Sequence, residues 1–129
     1  MKLNELMIGD WVYYTGDEKP LLCEIVALDK RDNMSAFEPI PLTEKILEKN
    51  GFIYSKPEFM TLSEEMVWRI EDRHEQAHVE IEEQTDDNGI DYYVGTFVSG
   101  TNRCEISFRF VHELQHALRV CGIDKEIVL

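Results

Sequence analysis

Between Arg103 and Gly122 the apolar residues change period in mid-run. Cys104, Ile106, Phe108 and Phe110 alternate with Glu105, Ser107 and Arg109, the pattern of a half-buried antiparallel strand. From there Val111, Leu114, Ala117, Leu118 and Cys121 recur at helical spacing as one apolar stripe, and Gly122 is a natural stop. A strand with one wet face and a helix with one dry stripe each need a partner layer. The expected class is therefore α+β, with a closing helix over 111–121 laid against an antiparallel sheet.

Upstream, Leu6 to Tyr14 carries the apolar and aromatic residues of a strand, Thr15 to Pro20 is rich in turn formers, and Leu21 to Leu28 is a second strand candidate. Residues 7–28 thus read as a hairpin. Two strands alone are marginally stable, so the hairpin needs further packing, and an SH3-like small β-barrel completed by Ala36 to Ile40 is one expected solution. A short helix near 43–50 follows, with Thr43 as N-cap, Glu44 at the positive end of its dipole and Gly51 at the left-handed C′ position. An antiparallel sheet is expected over roughly 52–110. Within it, residues 63–83 fit one amphipathic helix by spacing of three and four, or two strands by alternation in Val67–Ile70 and His78–Glu82 around a turn at Asp72–Gln76. At 129 residues and 43% hydrophobic content, one compact domain over 1–129 is expected, with subdomains at 1–42 (barrel) and 43–129 (α+β unit) as its natural division.

With 26 acidic residues against 13 basic, the formal charge is −13. That balance disfavours direct nucleic-acid binding, which draws affinity from cations that displace phosphate counterions, and permits a basic protein partner. No apolar run approaches the ~20 residues of a membrane span. The start, MKLNELMIGDW, lacks the apolar core of a secretory signal, so a cytoplasmic location is expected. Cys23, Cys104 and Cys121 form no CxxC pair and read as reduced packing residues.

The helical segment also contains His112-Glu113-Leu114-Gln115-His116, the HExxH pattern, and a second copy stands at His74-Glu75-Gln76-Ala77-His78. Histidines at i and i+4 on a helix can aim two nitrogens at one zinc ion, with the adjacent glutamate as general base on bound water. A catalytic zinc requires a third protein ligand. The metzincin extension wants Gly at 119 and His at 122, where this chain has Arg119 and Gly122. Folding that brought His74 and His78 beside His112 and His116 would supply the missing donors.

The stretches IGDWVYY, PIPLTEKILEKNGF and FVHELQHALRVCGIDKEIVL cover about a third of the chain. In them it resembles a family of small uncharacterised proteins from gut Bacteroidales genomes, found in prophage-like or mobile regions. The resemblance implies a β-rich middle region, which favours strands over 66–83. It brings no assigned activity, cofactor or catalytic residue.

The first expectation for function is a non-enzymatic protein-interaction module, phage- or mobile-element-related, with a protein partner and no cofactor. The alternatives are a zinc-dependent hydrolase, with Glu113 catalytic and His112 and His116 (less so His74 and His78) on the metal, and an acidic inhibitor or DNA mimic. Partner identity and oligomeric state are not legible at this level.

Overall fold

The structure is a computed structural model that describes residues 10–14, 17–22, 37–58, 66–72 and 76–129. It is α+β. Three short strands, β1 (Trp11–Tyr14), β2 (Asp17–Leu22) and β3 (Phe37–Pro39), make an antiparallel sheet in the order β2-β1-β3. Helix α1 (Glu44–Lys49) leads into β4 (Ile53–Ser55), β5 (Val67–Asp72), β6 (Ala77–Thr85), β7 (Asp91–Ser99) and β8 (Asn102–Phe108). These five form an antiparallel meander in sequence order, and helix α2 (Val111–Val120) follows.

Local chemistry explains most of these elements. Thr43 accepts from the Ile46 amide, Glu44 occupies the first turn, and Gly51 takes φ +86° just past the helix. The β reading of the middle region holds: 67–72 and 77–85 are strands, so a continuous helix over 63–83 is ruled out. Alternation in β6 sends Ala77, Val79 and Ile81 to one face of the sheet and His78 and Glu80 to the other. The first face joins Phe97, Phe108 and the α2 residues Val111, Leu114, Ala117 and Leu118 in one apolar core. No helix among the described residues is long and apolar enough to cross a membrane.

Two expectations need correction. The N-terminal strands do not form an SH3-like barrel, and among the described residues no sheet closes on itself. The reason is the company β1 keeps: Trp11 donates its amide to Gln115 Oε1 of α2 and its indole Nε1 to the Ile127 carbonyl. The sheet packs on the closing helix and tail rather than curling onto its own strands. The second correction concerns Asp17 to Pro20, whose turn-forming composition nonetheless lies in β2. There β2 is an edge strand, where Pro20 lacks an amide at little cost, and a register shift between Tyr13 and Tyr14 absorbs the irregular pairing. Residues 6–9, 23–28 and 36 of the expected strands, Cys23 among them, lie outside the described residues.

Gly95 shows how tightly the core face is filled. A Cβ there would stand 2.8 Å from Phe97 Cζ and 2.9 Å from Phe108 Cε1. Both rings are buried, so neither can swing clear without opening the core. Gly95→Ala is expected to lower stability by about 1–3 kcal/mol in urea denaturation, as overpacked core positions do. Gly95→Ala with no loss of stability would show that the two rings repack freely.

Candidate functional site

The helix carrying His112, Glu113 and His116 is held by those same residues. Glu113 Oε1 accepts from the Arg109 and Phe110 amides at 3.1 and 3.2 Å, satisfying donors at the start of α2. His116 Nε2 lies 2.6 Å from Asp10 Oδ2, and Arg119 Nη1 donates to Asp10 Oδ1 at 2.9 Å. Asp10 is fully enclosed, whereas the His116 and Arg119 side chains are 26% and 35% exposed. His112 is buried, its ring stacked on Phe110 at 6.0 Å and edge-on to His116 at 5.6 Å. The two histidines of this HExxH copy are thus neighbours, but one ring nitrogen of His116 is taken by a carboxylate and Glu113 is spent on amides.

His78 of the other copy does not join them. His78 points to the sheet face opposite α2, where its Nε2 is 3.6 Å from Glu80 Oε1. His74 and Glu75 lie outside the described residues. Among the described residues no group of three or more His, Cys, Asp or Glu side chains is arranged to hold a metal. Glu80 itself is fully buried on that far face, accepts from the Glu58 amide and stands 3.7 Å from Arg69 Nε. Arg69 in turn ties down the chain before β5, through the Lys56 carbonyl at 3.0 Å and Glu58 Oε2 at 2.8 Å. These contacts anchor a segment to the sheet.

A different place has the shape of a site. On the helix-bearing face of the five-stranded sheet, Tyr54, Met66, Trp68, Glu83, Gln84 and Asp91 line a cavity of about 370 Å³. Cross-strand register assembles it: Tyr54 lies opposite Trp68, and Thr85 opposite Asp91. The Tyr54 and Trp68 rings meet at 5.2 Å with a 38° tilt, and Tyr54 and Met66 are 55% and 39% exposed at the rim. Thr85 Oγ1 donates to Asp91 Oδ1 at 2.9 Å. Burial and hydrogen-bond contact with Glu44, the first residue of α1, push the Glu83 carboxyl above the ordinary carboxylate range. Below it, Tyr93 donates to the Leu42 carbonyl at 3.2 Å, and burial beside Glu83 and Glu44 pushes its phenol up to about 12. A wider groove of about 520 Å³ runs past Tyr92 and Phe110, but its Arg109 and Asp86 pair with each other at 3.1 Å.

The thiols follow the packing expectation. Cys121 is in the core, Cys104 packs against it, and burial followed by contact with Cys104 pushes the Cys121 thiol up to about 12.

Sequence reasoning placed its candidate residues on the HExxH copies and passed over Trp68, Glu83 and Asp91 as a site. The signal available was a period-two aromatic, Trp68, followed by a strand that carries Glu82 and Glu83 near its end. No family model, curated protein or solved structure matches the chain.

Two outcomes follow from the contacts. Removing the buried carboxylate by Asp10→Ala should cost about 2–4 kcal/mol, below the full penalty of a broken buried pair because His116 and Arg119 reach solvent. An Asp10/Arg119 double-mutant cycle in urea measures the shared part. In the tag-free protein, added zinc should leave the melting temperature unchanged, and a shift at stoichiometric zinc would show that the His112/His116 pair yields to a metal. For Glu83, a folded-state affinity for protons above the unfolded value means its contribution is present at low pH and lost as pH rises through the folded value. Glu83→Gln should therefore raise the melting temperature near neutrality. That gain should vanish below the ordinary value of 4.5, where both chains carry a neutral group.

Proposed function

We propose that the protein is a non-enzymatic interaction module that docks a basic protein partner at the aromatic, acidic end of its five-stranded sheet. It would act in the phage or mobile-element setting that the sequence resemblance implies. The observation that carries this reading is the pairing of exposed Tyr54 and Met66 with Glu83 and Asp91 around one cavity. Exposed aromatics beside a pocket are the usual anchors of protein recognition, and fixed carboxylates select the sign of the partner. The net charge of −13 speeds encounter with a basic surface in the same direction.

The rival duties of the HExxH residues support the non-enzymatic half of the reading. Glu113, the only candidate base of that motif on α2, already accepts two amide hydrogens, and His116 already holds Asp10. Both roles serve the fold.

A peptide rich in lysine and arginine, titrated into the full chain, should bind with an affinity that falls as salt rises, while its glutamate-substituted counterpart should not bind. Tyr54→Ser should weaken the basic peptide by roughly tenfold, about 1.4 kcal/mol, with the melting temperature held because this side chain is largely exposed. Equal binding by the Tyr54→Ser protein would move the docking surface elsewhere.

A further inference from the structure

Asp10 and Glu80 are enclosed carboxylates, whereas Glu44, Glu83 and Asp91 are exposed ones. Asp10 is matched by Arg119 and His116, and Glu80 lies beside Arg69 and His78. At the sheet-end cavity, Glu83 and Asp91 share the wall with Glu44 close behind, and among the described residues no ion pair reaches any of the three. Like charges held this close oppose one another, and no cation among the described residues is paired with them.

Facing those acids is an aromatic wall. The negative π-face of an indole or phenol ring attracts a cation, most strongly where solvent is partly excluded. An apolar occupant would strip water from Glu83 and Asp91 without replacing it, and a bare metal ion would gain nothing from Trp68 and Tyr54. An organic cation satisfies both walls at once. Between the two common ones, a guanidinium is planar, is more weakly hydrated than an ammonium, stacks on aromatic rings and presents a fork of donors to carboxylates. Asp91 Oδ1 already accepts from Thr85, which fixes the carboxylate and leaves Oδ2 for a further donor.

We propose that the cavity binds one arginine side chain of the partner, the guanidinium laid against the Tyr54–Trp68 wall and donating to Glu83 and Asp91. This rests on the docking reading above and names the group that reading leaves open. The nearness of Glu44 to Glu83 favours the same occupant, because an incoming cation offsets the repulsion between neighbouring carboxylates. The same feature that lowers stability then favours the complex.

The test uses the full chain and a small probe, N-acetyl-arginine methylamide, followed by tryptophan fluorescence and calorimetry. Saturable binding is expected with a Kd of about 1 mM or tighter. The lysine analogue should bind at least roughly tenfold more weakly, and the neutral, isosteric citrulline analogue should not bind. Glu83→Gln, which keeps shape and gains stability, should weaken the arginine probe by roughly tenfold or more, and so should Tyr54→Ala. No saturation by arginine, equal binding of lysine or citrulline, or an unchanged affinity in Glu83→Gln would each overturn the proposal. If the arginine probe fails while the basic peptide still binds in a Tyr54-dependent way, the single-arginine inference alone is lost. If both fail, the docking reading falls with it.

Discussion

The joint between Asp10 and the last helix holds the two sheets in one arrangement. A fully enclosed carboxylate is costly to bury, and it is tolerated here because His116 and Arg119 meet both of its oxygens. The joint is what lets α2 have two working faces. Its apolar stripe covers the five-stranded sheet, and its polar stripe receives β1 through Asp10 and the Trp11–Gln115 contact. The tail after α2 completes the enclosure. Ile123 and Ile127 are buried, the Trp11 indole caps the Ile127 carbonyl, and Asn50 exchanges hydrogen bonds with Val128 at 2.8 Å in both directions. Helix α1, the tail and β1 therefore converge on one element.

That convergence explains what could be read from the sequence and what could not. Both helices and the β7 and β8 strands follow from local period and caps, because each needs only neighbours within a few residues, whereas local period left 63–83 open between helix and strands. The barrel failed for a non-local reason. Whether β1 closes on its own sheet or lies on α2 is decided by residues more than a hundred positions away, such as Asp10 with His116. Nothing in the stretch 7–40 encodes that choice. The same distance governs α2: His112 and Gln115 fall outside the apolar stripe, yet both are buried against the fold.

The HExxH pattern is a case of one residue set serving two physical logics. A helix start wants an acid that can accept from leading amides, and Glu113 does so. A helix that joins two layers wants polar groups at i and i+4 on its second face, and His112 and His116 provide them. These structural demands are sufficient to produce the five-letter match. In the copy at 74–78, His78 sits in a strand and faces away from α2.

The cavity at the end of the sheet was the least legible feature, because it exists only in register. Glu83 and Asp91 look in sequence like the wet ends of two strands, and Trp68 like one core aromatic among several. Pairing places Tyr54 across from Trp68, Glu83 across from Tyr93 and Thr85 across from Asp91, all on the face that α1 shares. Three acids then crowd one spot beside an aromatic pair. The enclosed acids Asp10 and Glu80 stand beside the fold's own arginines and histidines, whereas these three are exposed. Glu44, Glu83 and Asp91 have no ion pair among the described residues, so a basic group that reached this end of the sheet would meet carboxylates for which no described cation competes.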